Sequence, residues 1–365
     1  MPRSKLIIYM LSPISTFIIA LTPKIQGMVR KLPTIKEIAR RLNVSVSTVS
    51  RALHDHPSIG LRTRMQVQQV AKEINYEPNQ AAIFFKQGKS FTLGVIIPNL
   101  QEQYFSIAID GIEKQATQNN YNVLICQSHD DPKREKQIVE TMRRNRVDGI
   151  IVSVSKDASN YEHFLELAEY NIPVVFFDRA PQLPGAYSVT CGLKSSTIAM
   201  VDLFVKKGIR RIGFINGPGA ISLTQERADG YREGLLKNDL KEEKELIVQT
   251  DLTTSGTEKA IGKLLALKKP PVAVIVFNDY VALDAIRYAK KEGFEINKDI
   301  FFGSYANLPI THYLDHPPIV SVEQFPFEQA EKATEILLQL IHKKERGIGS
   351  LQQTILEGEL VLHEE

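Results

Sequence analysis

The sequence predicts two structural classes in one chain: an all-α head with a helix-turn-helix layout, followed by an α/β body of two lobes. Three observations predict this. Residues 34–74 repeat apolar side chains at helical spacing. From Phe91 onward, short apolar runs alternate with amphipathic segments, the pattern of parallel sheets covered by helices on both faces. Charge is also uneven. Met28–Ser90 holds 11 Lys/Arg against 4 Asp/Glu, while Phe91–Glu365 is net negative in a chain of total charge +3. A basic head on an acidic body suits a polyanion, because Lys and Arg displace counterions from phosphates. A merely solvated basic face is the bland alternative.

In the head, Thr34 to Leu42 reads as a first helix. Ile35, Ile38, Ala39 and Leu42 fall on one face, and Thr34 with Glu37 has the spacing of a capping box. Asn43 suits the turn that ends it. Ser45 is the expected N-cap of a second helix with Val46, Val49, Ala52 and Leu53 apolar. Pro57-Ser58 is expected to open a third, with Val67, Val70, Ala71 and Ile74 inward. This layout presents a second helix to a major groove. Its expected exposed positions, Val46, Ser47, Thr48, Ser50 and Arg51, are small and hydroxylic with one Arg. Hydroxyls can donate to phosphate and Arg can pair with guanine in bidentate fashion.

The run TIKEIARRLNVSVSTVSRAL, with NYEPNQAAIFFKQGKS after it, resembles the head and hinge of the lac-repressor (LacI/GalR) family of transcription regulators. The resemblance runs from about Leu32 to the C-terminus. It implies that Val46, Ser47 and Arg51 read bases, and that Thr34, Ser45, Thr48, Ser50 and His54 lie near phosphates, His54 standing where the family usually has Asn. It also implies a short hinge helix over 80–87 that forms on operator DNA, with Asn79 as N-cap and Gly88 as stop. There Phe85 occupies the position of a wedging leucine, with the small Ala82 beside it, and an aromatic wedge can also kink a base step.

In the body, strands are predicted at 93–97, 123–126, 149–154 and 174–177, then at 212–215, 272–277 and 300–303. Helices are predicted between them, at 105–119, 134–146, 227–237 and 282–292. Two such series suggest two lobes, and ligands in such sheets sit at the carboxyl ends of the strands. The stretches IIPNLQEQYFSIAIDGIE, DGIIVS, PVVFFDR, GIRRIGFINGP, ERADGYREGL, VIVFNDYVALDAI and SVEQFPFE resemble the type 1 periplasmic-binding-protein fold that the same family uses for sensing. The resemblance places Tyr104, Phe105, Ser128, Ser153, Asp178, Arg227, Asn278, Asp279 and Gln324 in an effector cleft. It implies stacking of a sugar-like ring on the aromatics and paired hydrogen bonds from the polar groups. Arg227 stands out; a surface ion pair with Glu226 or Asp229 is its alternative. Two departures from the family stand out. Cys191-Gly192 replaces a common Asp-Asn, and Ser304-Tyr305-Ala306 replaces a common Gly-Phe-Asp, with Asn307 as a candidate substitute for the missing carboxylate.

The expected domains are therefore an extra segment 1–31, a DNA-binding head 32–78, a hinge and linker 79–90, and an effector-binding and dimerisation body 91–365. Leu6–Leu21 is apolar behind Arg3 and Lys5, a signal-peptide-like pattern, but it is short for a membrane span and contains Pro13. Translation is expected to begin at Met28, giving a cytoplasmic protein without membrane association. The expected function is a transcription regulator, with repression the expected mode, working as a homodimer on double-stranded operator DNA under a sugar-like small-molecule effector. A secreted or membrane-tethered sugar-binding protein is the alternative, which the 32–88 stretch opposes. No catalytic motif is evident, and no cofactor or metal is expected. Cys126 and Cys191 have no CxxC partner, and His129-Asp130-Asp131 reads as a solvated turn.

Overall fold

The computed structural model describes residues 33–77, 88–219, 221–342 and 352–363. The predicted hinge helix with Ala82 and Phe85, and the apolar segment 6–21, lie outside the described residues. The chain divides into two compact units, with the break between Ile83 and Phe84.

The head unit contains α1 (Ile35–Leu42), α2 (Val46–Leu53) and α3 (Leu61–Glu73) around a small core of Ile38, Ala39, Val49, Ala52, Val67 and Ala71. Asn43 ends α1 in the left-handed region at φ 51°, a conformation that short polar side chains tolerate. Ser45 caps α2, its hydroxyl accepting from the Thr48 amide at 3.0 Å. Two expectations need correction. The capping box does not form. The Thr34 side chain makes no capping bond, and the Glu37 carboxylate instead accepts from Arg41, one turn on, at 2.9 Å. The third helix begins at Leu61 rather than at Pro57-Ser58. The Ser58 amide donates to His56 Nδ1 at 3.2 Å, and this local side-chain bond holds a turn where helix was expected.

The body unit holds two six-stranded sheets, in the orders β11-β5-β4-β3-β1-β2 and β12-β10-β9-β8-β6-β7. The first sheet comprises β1 (Thr92–Ile97), β2 (Asn122–Gln127), β3 (Gly149–Val152), β4 (Val174–Phe177), β5 (Tyr187–Gly192) and β11 (Gln352–Glu357). Every pairing in it is parallel. The second comprises β6 (Ile212–Asn216), β7 (Ile247–Gln249), β8 (Ala273–Val276), β9 (Phe301–Ala306), β10 (Val320–Glu323) and an antiparallel edge, β12 (Glu359–Leu362). The inner strands are buried along nearly their whole length, which is why they read as continuous apolar runs. The strands β5, β7, β10, β11 and β12 carry weaker apolar signals and were not predicted as such.

The helices of the first lobe are α4 (Gln103–Gln118), α5 (Pro132–Arg144), the short α6 (Glu162–Leu165) and α11 (Pro326–His342). Those of the second are α7 (Lys194–Lys206), α8 (Ser222–Lys237), α9 (Thr254–Leu265) and α10 (Asp279–Lys291). The chain crosses between lobes three times, after β5, after β10 and between β11 and β12. Two crossings meet in space: a Cβ on Gly358 would approach Val322 Cγ1 to 2.8 Å and Cys191 Sγ to 3.3 Å.

One buried carboxylate shapes the second lobe. Asp279, the first residue of α10, is fully buried. It accepts hydrogen bonds from the Leu308 amide at 2.6 Å and from the hydroxyls of Ser304 and Ser321. Burial pushes its pKa up to about 6, against the lowering effect of those bonds.

Two stability predictions follow from this packing. A Cβ at Gly111 of α4 would strike the backbone carbonyl of Phe327 on α11, whereas one at Gly219 would meet nothing within 4 Å. Gly111→Ala should therefore cost about 1–3 kcal/mol in urea unfolding, and Gly219→Ala close to nothing; equal costs would contradict the close helix approach. For Asp279, the folded value lies above the ordinary 3.8. The folded chain thus holds the proton that the unfolded chain releases between about pH 4 and 6, and stability falls as pH rises through that window. Wild type should lose up to about 2–3 kcal/mol relative to Asp279→Asn between pH 4 and pH 6.5; a pH-independent gap between the two would refute this.

Candidate functional site

The head presents one face of α2 and its flanks. Val46 is 40% exposed, and Ser47, Arg51 and His54 are exposed with it, while Thr48 and Ser50 are half-buried. Thr34 is exposed before α1. The hydroxyls of Ser45, Ser47 and Thr48 form one cluster, with Ser45 Oγ 2.7 Å from Ser47 Oγ and 2.8 Å from Thr48 Oγ1. Positions 46, 47, 50, 51 and 54 fall on a single helical face. A short helix with small side chains at its start and an exposed Arg about one turn later has the form that enters a major groove. The N-cap bond fixes where that start lies.

The body's cleft lies at the carboxyl ends of strands from both lobes, as expected for open α/β sheets. It encloses about 450 Å³, counting the space open at its mouth, and is lined by Glu102, Tyr104, Phe105, Asp178 and Arg179 from the first lobe. From the second lobe come Ile221, Leu223, Arg227, Phe277, Asn278, Tyr280, Ala306 and Leu308, with Gln324 at a crossing. Backbone in the left-handed region gathers at the strand ends: Asp178 (φ 57°), Ala306 (φ 94°), Asn307 (φ 48°) and Phe325 (φ 55°). Such residues cluster where a site must be shaped at the expense of local strain.

Arg227 is the central group. It is only 3% exposed, and its guanidinium lies 4.2 Å from the Phe277 ring centroid and 4.6 Å from that of Tyr305. The surface ion pair considered as its alternative does not form. Glu226 accepts from the Leu193 amide at 3.0 Å, and Asp229 accepts from Gln225 and Arg232. Arg227 Nε and Nη1 are buried without a hydrogen-bond partner, so aromatic faces supply its local stabilisation. Burial lowers its pKa, against the raising influence of Tyr305 and Asp178.

Asp178 and Arg179, consecutive after β4, form the opposing charged pair. Asp178 accepts from the Ser153 hydroxyl at 3.1 Å, and burial raises its pKa against the lowering effect of Arg179. Arg179 donates to Asp130 at 2.7 Å. Burial opposes its charge, but Asp130, Asp178 and Glu102 outweigh that and raise its pKa. Burial also raises the pKa of Glu102, with Arg179 opposing. The Tyr104 hydroxyl accepts from Gln329 Nε2 at 2.9 Å, and burial pushes its pKa well up.

Tyr104, Phe105, Asp178, Arg227, Asn278 and Gln324 therefore line the cleft together. Four other expected residues do not line it. Ser153 stands behind Asp178. Asp279 is committed to Ser304 of β9 and to Leu308 in the turn after it. Asn307 donates from Nδ2 to Glu323 at 2.9 Å and from its amide to Ser321 Oγ at 3.0 Å, so its donors point to β10. Ser128 is fully buried at the end of β2, its hydroxyl unpartnered. Phe105 is only 1% exposed, its ring edge-on to Phe177, so it is mainly core. Asn278 has its Oδ1 occupied in capping α10.

Sequence reasoning missed Glu102, Arg179, Phe277 and Tyr280 as lining residues. All four stand inside the quoted stretches, within two positions of residues that were chosen. The turn His129-Asp130-Asp131 has a structural use: Asp130 also accepts from the Lys156 amide at 2.9 Å, and Asp131 caps α5 through the Lys133 amide. Among the described residues no helix is long and apolar enough to cross a membrane, and no group of three or more His, Cys, Asp or Glu could hold a metal ion.

Comparison with known proteins agrees with this geometry. Residues 34–79 match the family model for bacterial regulatory proteins of the lacI family, and residues 93–345 match a periplasmic binding protein domain. The chain is 30% identical over 336 residues to the HTH-type transcriptional repressor CytR of Escherichia coli, covering 90% of this chain and 95% of that protein. It is 29% identical over 336 residues to the HTH-type transcriptional regulator EndR of Paenibacillus polymyxa, covering 91% and 97%. In fold it is similar to the lac repressor dimer bound to operator and the anti-inducer ONPF, with a TM-score of 0.77 at 22% identity over 91% of this chain and 98% of that one. These relatives are transcription regulators rather than enzymes. The chain belongs to the LacI family of bacterial regulatory proteins, as a DNA-binding transcription regulator whose body has the periplasmic-binding-protein fold.

Proposed function

We propose that the chain is a repressor whose homodimer reads a near-palindromic operator and whose cleft takes a small, neutral, polyhydroxylated effector, a sugar or a nucleoside. The observation that carries the effector class is the buried Arg227 guanidinium, with two hydrogen-bond donors unmet, in a cleft that also holds Asp178 and Glu102. Two adjacent hydroxyls accept from Arg227 and donate to a carboxylate at once. An anionic ligand would satisfy Arg227 but face both carboxylates. Aromatic side chains in the wall suit the flat face of a sugar or base, and buried polar groups reject ligands that leave them unpaired.

On the DNA side, Val46, Ser47 and Arg51 read base edges, and Thr34, Ser45, Thr48, Ser50 and His54 contact phosphates. Ala82 and Phe85 enter the minor groove from the hinge. Two heads then occupy adjacent major grooves. Effector binding shifts operator affinity by the free energy that links the two sites, typically about 1–3 kcal/mol. CytR, a repressor of similar length, supports the repressor reading.

The test is selection of bound genomic fragments by the full-length protein, repeated with panels of sugars and nucleosides. An enriched palindrome whose recovery changes with one ligand establishes the reading; absence of any enriched sequence overturns it. Arg51→Ala should weaken binding to the selected site by about 1–3 kcal/mol and broaden sequence choice, leaving random DNA nearly unaffected. An equal loss on both would remove Arg51 from base reading. Arg227→Met should abolish the ligand response while leaving operator binding intact. It should not lower the urea midpoint, because the charge it removes is buried without hydrogen-bonded compensation; a clear loss of stability would show that the cation has a structural partner.

A further inference from the structure

The two lobes are joined across the mouth of the cleft by a reciprocal pair of helix caps. Tyr280, on the first turn of α10 in the second lobe, lines the cleft. Its hydroxyl accepts from the Gln103 amide at 3.0 Å and donates to the Gln101 carbonyl at 3.1 Å, both in the first lobe. Gln103 returns the contact. Its side-chain Oε1 accepts from the Ile310 amide at 3.2 Å, in a short 3₁₀ helix, Pro309–Tyr313, of the second lobe.

Both amides belong to the class that helices cannot satisfy internally. Gln103 is the first residue of α4 and Ile310 the second of its 3₁₀ turn. First-turn amides have no carbonyl upstream within their own helix. In most helices the partner is a local cap residue, but Glu102 makes no side-chain cap bond for α4 and Leu308 none for the 3₁₀ turn. Each lobe therefore supplies a cap for a helix of the other. Opening the cleft would strip both caps at once. The Tyr280 hydroxyl both accepts from Gln103 and donates to Gln101, so it holds the α4 entry at two points. That entry carries Glu102 and Tyr104 into the cleft wall.

We propose that Tyr280 and Gln103 form a clasp that holds the lobes closed over the cleft. Entry of effector then requires transient opening of the clasp, and its reclosure over the ligand rebuilds the wall that carries Glu102 and Tyr104. A further inter-lobe bond, from Lys156 Nζ to the Asp251 carbonyl at 2.8 Å, lies outside the lining and is not part of the clasp. The inference rests on the cleft being the effector site, but its test does not involve an effector.

The test is hydrogen exchange followed by mass spectrometry on the ligand-free, full-length protein, beside small-angle scattering and urea unfolding. In Tyr280→Phe, the Gln103 amide should exchange about tenfold faster, as loss of one satisfied hydrogen bond permits. The Ile310 amide should accelerate with it, because opening breaks both caps. The radius of gyration should rise and the urea midpoint should stay put. Gln103→Ala should free the Ile310 amide, and Gln103→Glu, which keeps an acceptor at that position, should restore its protection. Unchanged exchange in Tyr280→Phe would overturn the clasp. So would uniform acceleration across both lobes with a lower urea midpoint, which would make the hydroxyl a general stability contact. A failed search for effectors alongside accelerated exchange would count against the effector reading and leave the clasp standing.

Discussion

Everything in the body depends on how narrowly its two lobes are joined. Each lobe has its own sheet and core, although Cys191 packs into the second core and Ala306 and Leu308 into the first, and among the described residues the chain passes between lobes at the ends of β5, β10 and β11. Gly358 lets two of these passages touch, since any side chain there would collide with Val322. Two rigid layers on a thin junction leave the carboxyl ends of both sheets facing one space. A cleft with walls from two bodies follows from this topology before any particular side chain is considered.

The cleft is where the sequence gives up stability for chemistry. A buried arginine without hydrogen-bonded partners, two carboxylates whose pKa values burial raises, and backbone in the left-handed region all cost free energy in the ligand-free chain. The surrounding structure absorbs the cost. Phe277 and Tyr305 flank the Arg227 guanidinium, Asp130 steadies Arg179, and Ser153 steadies Asp178. Asp279 does a different job with the same chemistry. Its carboxylate is filled by one amide and two hydroxyls, so nothing remains for a ligand, and it fixes the loop that bears Ala306 and Leu308.

Much of this was legible in the sequence, for identifiable reasons. The strand at 174–177 has the predicted limits, and β1, β3, β6 and β8 were found within two residues, because burial on both faces leaves an uninterrupted apolar run, whereas β9 runs three residues past its predicted end. The strands β5, β7, β10, β11 and β12 were not found, because polar residues interrupt their apolar runs, as in QQTILE and VSVE. The head's helices were legible from periodicity, but its caps were decided by competition. Glu37 had two partners within reach and took Arg41; Ser58 was drawn to His56. The cleft was legible where a side chain's distance from its strand end settles its fate, as with Asp178. It was not legible where a neighbour in space claims the group. Nothing in the local run around Asn307 announces that Glu323 will take its side-chain Nδ2, and nothing near Ser153 announces Asp178.

The same competition explains why residues adjacent in sequence divide their labour. Asn278, Asp279 and Tyr280 are consecutive at the start of α10. The first caps the helix, the second anchors a loop within its lobe, and the third reaches the other lobe. A helix start turns about 100° per residue, so three neighbouring side chains leave it in three directions. At the end of β4, Asp178 and Arg179 likewise share the charge of one pair but face different partners, Ser153 and Asp130. A few short segments at strand ends can therefore supply the wall, its support and its closure together. That is why substitutions one residue apart in this chain are expected to separate ligand recognition, lobe stability and lobe closure into distinct measurable effects.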